Sequence, residues 1–149
     1  LNQNRESGKF KCYLFDTGLL ITQIFLERPV SDNDLYRKLI LNKLSINQGM
    51  FVENLVAQML VARSHKLFYY FENRLGKYGE MEIDFIINEK NKIAPIEVKS
   101  GKYNKHSSID KFVIKYSGII RNKYIIYTND YLNEGGYEHL PLYYVPFKF

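Results

Sequence analysis

Cysteine is almost missing from this sequence: Cys12 is the only one among 149 residues. That rules out an internal disulfide and a multi-cysteine zinc site, and it suits a reducing cytoplasm. Histidine is nearly as scarce. His65, His106 and His139 stand far apart, none at a metal-ligand spacing from another, so each reads as a surface or packing residue. No Walker-type glycine loop and no GxGxxG occurs, so nothing local explains nucleotide binding. No apolar run approaches the roughly 20 residues that a membrane-spanning helix needs. Repeats, low-complexity tracts and Pro/Gly-rich linkers are also missing. The first residue is Leu1 rather than Met, which leads us to expect a piece of a longer polypeptide.

What is present describes one soluble globular domain. Hydrophobic residues make up 46% and charged residues 25%, enough apolar surface for a real core at this length. The net charge of +5 permits phosphate-rich partners without demanding them.

Along the chain, residues 1–9 are polar and read as a tail. FKCYLFD follows as a short strand-like run. TGLLITQIFL reads as a helix capped by Asp16 or Thr17 and ended at Pro29. DNDLYRKLILNKL reads as a second helix, with Leu35, Leu39 and Ile40 on one side. INQGMFVENLVAQMLVAR is a third. Its apolar arc runs through Phe51, Val52, Leu55, Val56, Met59 and Leu60. Glu53 lies at the border of that arc, and Asn54 and Gln58 fall on the opposite, wet side.

The pattern then changes from helical to alternating. KLFYYFE reads as a strand, with Tyr69 and Tyr70 as packing residues. EMEIDFIIN and IAPIEVKS read as an antiparallel hairpin joined by NEKNK. HSSIDKFVIKYSG is a helix whose apolar face carries Ile109, Phe112, Val113 and Tyr116, with Gly118 as its stop. NKYIIYT is a strand reached by a parallel crossover. LPLYYVPF reads as a final extended segment at a sheet edge, because of its prolines. The expected fold is therefore α/β: a mixed sheet flanked by helices, ordered α-β-β-β-α-β over residues 45–149, with residues 1–44 as a tail, short strand and helical extension.

Strand periodicity singles out one constellation. In EMEIDFII, Ile83, Phe85 and Ile87 share one face and Glu82, Asp84 and Ile86 the other. In IAPIEVKS, Ala94, Ile96 and Val98 share one face and Glu97 and Lys99 the other. Strand pairing would bring Asp84 to Glu97, and Glu53 could point at the same spot. Carboxylates gathered at the edge of a core repel one another and lose hydration. Such a cluster usually implies a cation, and an oxygen-only donor set favours Mg²⁺ or Mn²⁺. Open positions on that ion could take a phosphate oxygen, and Lys99 could orient water or stabilise developing charge. The plainer alternative is a solvated strand face with a cross-strand ion pair worth about 0–1 kcal/mol.

Glu53 in GMFVENLVAQML, Asp84 in EMEIDFII and Glu97-Val98-Lys99 in PIEVKSG together resemble the PD-(D/E)XK restriction-endonuclease-like superfamily. Ile83 stands where the superfamily's name has proline. More of the chain resembles the C-terminal domain of unknown function carried by many bacterial and archaeal AAA-type ATPases: KCYLFDTGLL, GMFVENLVAQML, YYFEN, EMEIDFII, PIEVKSGK and HLPLYYVPF. The resemblance implies a nuclease-type fold attached to an upstream ATPase domain. It also implies a divalent-metal-dependent nuclease acting on DNA, with Glu53, Asp84 and Glu97 as ligands and Lys99 assisting hydrolysis. The rival expectation is a non-enzymatic module that binds nucleic acid or a partner and regulates or oligomerises its ATPase.

Between Lys99 and Tyr124 lie seven basic residues and one acid, Asp110. Lys102, Lys105, Lys111 and Lys115, interleaved with Tyr103 and Tyr116, could form a phosphate track beside the cluster. A wet helix face with core tyrosines fits the same pattern.

Overall fold

The computed structural model describes residues 9–26, 48–73, 77–100 and 107–149. The helix expected over DNDLYRKLILNKL lies outside these residues, as do Lys102, Lys105 and His106. Residues 9–14, expected to include a strand, form neither strand nor helix. They run irregularly to Asp16, whose carboxylate accepts the Leu19 N–H at 3.0 Å and so caps helix α1, Thr17–Leu26.

The next helix, α2 (Gln48–Ala62), buries Val56, Ala57 and Leu60 but also Asn54. Asn54 was expected to be wet, and it is 2% exposed. The amphipathic pattern of α2 shows only which side faces the sheet. The segment before α1 covers the other side and supplies partners for the amide.

KLFYYFE contributes only β1, Tyr70–Glu72. The expected single strand EMEIDFIIN is two: β2 (Met81–Ile83) and β3 (Phe85–Glu89). The bend at Asp84 breaks the alternation. Met81 and Ile83 pack into one apolar cluster, while Phe85 and Ile87 enter another. Ile83 therefore does not share a face with Phe85 and Ile87. The hairpin between β3 and β4 (Lys92–Val98) forms as expected, pairing Phe85 with Ile96 and Glu89 with Lys92. Lys90 at its turn takes a left-handed φ of 57°.

Helix α3 (Ser107–Tyr116) follows, then β5 (Tyr124–Tyr127), parallel to β4 as the crossover requires. β6 (Leu132–Glu134) and β7 (Tyr137–Pro141) form a hairpin closed by Gly135 and Gly136, both at positive φ (60° and 76°). That is the backbone a two-residue primed turn demands. The five-stranded mixed sheet has the order β3-β4-β5-β7-β6. The C-terminal prolines do not lie in an edge strand. Pro141 is the last residue of β7, an interior strand, and Leu142–Tyr144 and α4 (Val145–Lys148) are helical turns. Proline is accommodated at a strand's end and in a helix's first turn, where its missing N–H has no partner to lose.

The sheet is covered on both faces. Val56, Ala57 and Leu60 of α2, with Val145 of α4, pack on Phe85, Ile87, Ala94, Ile96, Tyr124 and Ile126. On the other face Ile109 and Phe112 of α3 pack with Met81, Ile83, Ile86, Ile125 and Tyr137. His139, in β7, is buried between the rings of Tyr127 and Tyr137. No helix among the described residues is long and apolar enough to cross a membrane.

Candidate functional site

The bend at Asp84 turns its carboxylate toward the end of β4. Oδ2 accepts the Val98 N–H at 2.9 Å, which holds the group in place without a strand around it. Glu53 approaches from α2, one helical face away from the core. The group that joins them is Lys11. Its Nζ lies 2.9 Å from Glu53 Oε1, 3.0 Å from Asp84 Oδ1 and 2.7 Å from Glu82 Oε1. An ammonium carries three N–H donors, and here each faces a carboxylate. Tyr13 adds its hydroxyl, donating to Glu53 Oε1 at 2.6 Å, while its ring rests on Phe85 at 5.5 Å between centroids.

The segment carrying Lys11 and Tyr13 is held by its main chain as well. The buried Asn54 accepts from the Leu14 N–H at 2.8 Å and donates to the Leu14 carbonyl at 3.1 Å and to Thr17 Oγ1 at 3.1 Å. Gln58 donates to the same carbonyl at 3.2 Å. Further out, Lys9 Nζ stands 3.5 Å over the ring of Phe71, and a cleft of about 330 Å³ opens between Lys9, Phe10, Lys11, Tyr69, Phe71 and Glu82.

The electrostatics follow from burial and proximity. Burial pushes the Asp84 carboxyl above its ordinary value and the charge of Glu53 adds to this, against the pull of Lys11 and the Val98 N–H. Burial by itself would lower the Lys11 ammonium, but the charge of Asp84 and the hydrogen bonds to the three carboxylates outweigh it and raise the group above the ordinary lysine range. Lys11 therefore remains a fixed cation at any physiological pH. Tyr13 is raised by its burial and by its bond to Glu53.

The structure thus brings Glu53 and Asp84 together as the sequence pattern suggests. Glu97 follows a different course. Alternation along β4 puts Ile96 and Val98 on the α2 face and Glu97 on the face covered by α3. There Glu97 Oε1 pairs with Lys99 Nζ at 2.5 Å, and its charge is felt by Tyr137. Glu97 is 6% exposed, and its Oε2 has no hydrogen-bond partner among the described residues.

The position between these acids is taken by an ammonium. Mg²⁺ draws its oxygens to about 2.0–2.1 Å, whereas Glu53, Glu82 and Asp84 are spaced around an ammonium at 2.7–3.0 Å. Among the described residues no group of three His, Cys, Asp or Glu side chains is arranged to hold a metal ion.

The basic residues proposed as a phosphate track are engaged inside the molecule where the structure describes them. Lys111 donates to the Glu80 carbonyl at 3.0 Å. Lys115 bonds Glu72 at 2.9 Å and the Tyr70 hydroxyl at 2.8 Å, with the rings of Tyr70, Tyr78 and Tyr116 around it. Sequence reasoning missed Lys11, Tyr13, Glu82 and Asn54. The one available signal was the alternation of Lys9, Lys11 and Tyr13 with Phe10 and Cys12.

A family model described as "Domain of unknown function (DUF4143)" matches residues 48–145, well over half of the chain. Among curated proteins none matches.

Proposed function

Taking as premise that the chain belongs to the DUF4143 family, we propose that it is a non-hydrolytic, partner-binding module of restriction-endonuclease-like descent that regulates or oligomerises an AAA-type ATPase domain of the same polypeptide. One observation carries this reading: the Lys11 ammonium sits among Glu53, Glu82 and Asp84, where a nuclease of this architecture would require a catalytic cation. Lysine supplies the charge that offsets the acids but has no open coordination position for a phosphate oxygen or a water. Three carboxylates against one ammonium leave negative charge in excess, which repels a phosphate. The internal bonds of Lys111 and Lys115 also take cations away from a DNA-binding role, which favours a protein partner. Large apolar side chains at the surface, such as Phe15, Tyr143 and Phe147 at 93%, 69% and 79% exposure, suit such a partner.

The test is a cleavage assay on single- and double-stranded DNA, with the chain in Mg²⁺ or Mn²⁺. We expect intact DNA for the wild type and for Glu97→Ala alike. Metal-dependent cleavage that Lys99→Ala abolishes would overturn the proposal.

A second reading has its own support. Glu53 and Asp84 arrive from different elements at one cation, with Glu97-Val98-Lys99 bonded to Asp84 through the Val98 N–H. Two of the three acids expected of a Mg²⁺- or Mn²⁺-dependent nuclease acting on DNA thus share one cation, while Glu97 lies on the α3 side of β4. It requires Lys11 to leave the cluster, and a metal-dependent cut that appears only in Lys11→Ala would favour it.

A further inference from the structure

The two outer edges of the five-stranded sheet differ. On β3 the Ile86 N–H donates to the Phe68 carbonyl at 2.7 Å, so another part of the chain covers that edge. On β6 no strand among the described residues does so. Leu132, Asn133 and Glu134 are all exposed, Leu132 at 44%, with the adjoining Tyr131 at 53%. The hairpin fixes which main-chain groups point outward. Glu134 and Tyr137 close the two-residue turn, and Leu132 stands opposite His139. These residues therefore turn their N–H and C=O groups toward β7. Asn133 lies between them and directs its own N–H and C=O away from β7. An edge with unpaired groups is a template for another strand, and lysine or proline on the edge is the common guard. Residues 130–134 contain neither.

This edge is also acidic within a basic chain. The net charge is +5, yet residues 124–147 hold Asp130, Glu134 and Glu138 and no Lys or Arg. Glu138 pairs with Lys148 at 2.6 Å. Asp130 and Glu134 are exposed and make no ion pair among the described residues. Lys123 comes up to the turn at Gly136 but lies over the Tyr137 ring, 4.0 Å from its centroid. Asp130 and Glu134 flank Leu132 at two residues on either side, the spacing that puts strand side chains on one face. A second copy of β6 does not suit them. Laid antiparallel about Leu132, it sets Asp130 against Glu134 twice, and like charges directly opposite repel. We propose that the outer edge of β6 takes up a short extended peptide segment as an added strand, with a Lys or Arg at each end of an apolar or β-branched run. The three-residue length of β6 suits a short linear segment rather than a sheet. The inference rests on the partner-binding reading and names the chemistry of the partner.

The probe is the amidated peptide Lys-Val-Thr-Val-Lys with a fluorophore at its N-terminus. Antiparallel about Leu132, it sets its lysines opposite Asp130 and Glu134 and its valines opposite Tyr131 and Asn133. Fluorescence anisotropy should report saturable binding to the wild type. Binding should weaken at least about tenfold for the peptide Glu-Val-Thr-Val-Glu, and likewise for the variant Asp130→Lys/Glu134→Lys, because two attractive pairs become repulsive. The Lys peptide N-methylated at both valines keeps its charge but cannot donate to the edge, and it should lose at least about tenfold on the unaltered protein. Asn133→Pro removes the outward N–H and spares the ladder to β7, with the same loss expected. On adding the Lys peptide, hydrogen exchange at the Asn133 amide should slow more than at Leu132, whose amide already faces β7. No saturable binding of the Lys peptide, or equal binding of its N-methylated form, overturns the proposal. A dimer mass in light scattering that Asn133→Pro returns to monomer overturns the choice of occupant. DNA cleavage by a chain that still captures the peptide overturns the partner-binding reading alone. A chain that neither cuts DNA nor captures the peptide overturns the strand addition alone.

Discussion

Replacing Lys11 by methionine keeps the length and most of the apolar stem but removes the charge that three carboxylates share. The magnitude can be bracketed. Exposed ion pairs contribute about 0–1 kcal/mol, and removing one partner of a fully buried pair costs about 3–5 kcal/mol. Here the side chains of Lys11, Asp84 and Glu53 are 19%, 17% and 23% exposed, while Glu82 is 48% exposed. Glu82 can turn to water, but Asp84 cannot while it accepts the Val98 N–H. We therefore expect a loss of about 2–3 kcal/mol at neutral pH, between the two limits. For a chain of this size that is a fall in Tm of about 4–12 °C. The sign of the pH dependence is a sharper check. Asp84 has a folded pKa above its unfolded one, so its charged form costs stability as pH rises through that range and the cost is relieved on acidification. Without Lys11 this cost grows, so the variant's deficit should be largest at neutral pH and shrink toward pH 4. In the wild type, Lys11 is raised above the usual lysine value. Its contribution is complete below that value and is lost only as pH rises into the strongly alkaline range. Thermal unfolding followed by circular dichroism between pH 4 and pH 8 measures both effects. A deficit below about 1 kcal/mol, or one that does not change with pH, would refute the placement of Lys11 as the cation of this cluster.

Three further outcomes follow from single contacts. Asn54→Ala should cost about 1–3 kcal/mol by orphaning the Leu14 N–H and carbonyl, and hydrogen exchange at the Leu14 amide should accelerate more than at Ile96 in the sheet. Asp84→Asn, which keeps an acceptor for Val98, should be milder in urea unfolding than Asp84→Ala, which should cost about 1–3 kcal/mol by leaving that N–H buried and unpaired. Leu60→Ala, at a position with no exposure, should cost about 2–5 kcal/mol through the cavity left against the sheet, with an unchanged m-value.

Much of the scaffold was legible because it depends on neighbours in sequence. The 3.6-residue periodicity of α2 and α3, the β3–β4 turn and the crossover to β5 are local patterns that any packing must respect. Asp16 was legible as a cap for the same reason. The errors arose where a distant partner decided. Asn54 faces away from the sheet, so its helix reads as wet there, yet the segment ending at Leu14, 40 residues away in sequence, arrives to bury it. KCYLFD alternates like a strand, but no strand edge among the described residues accepts it. The main chain of Leu14 bonds to side chains of α2 instead.

The candidate site divides along the same line. The sequence by itself pointed to Glu53, Asp84 and Glu97 as acids that could gather, since a helix border and strand alternation can bring carboxylates to the edge of a core, while Glu82 joins the cluster only in the fold. It could not determine which of them share a charge, because that depends on a few ångströms set by one bend and one docked segment. The bend at Asp84 separates the faces of β2 and β3, and β4 carries Glu97 to the side of α3. The tertiary fold then puts Lys11, remote in the chain, between Glu53 and Asp84. Coulomb energy falls off with distance in space and takes no account of distance along the chain, so the identity of the cation in this cluster was decided by the fold alone.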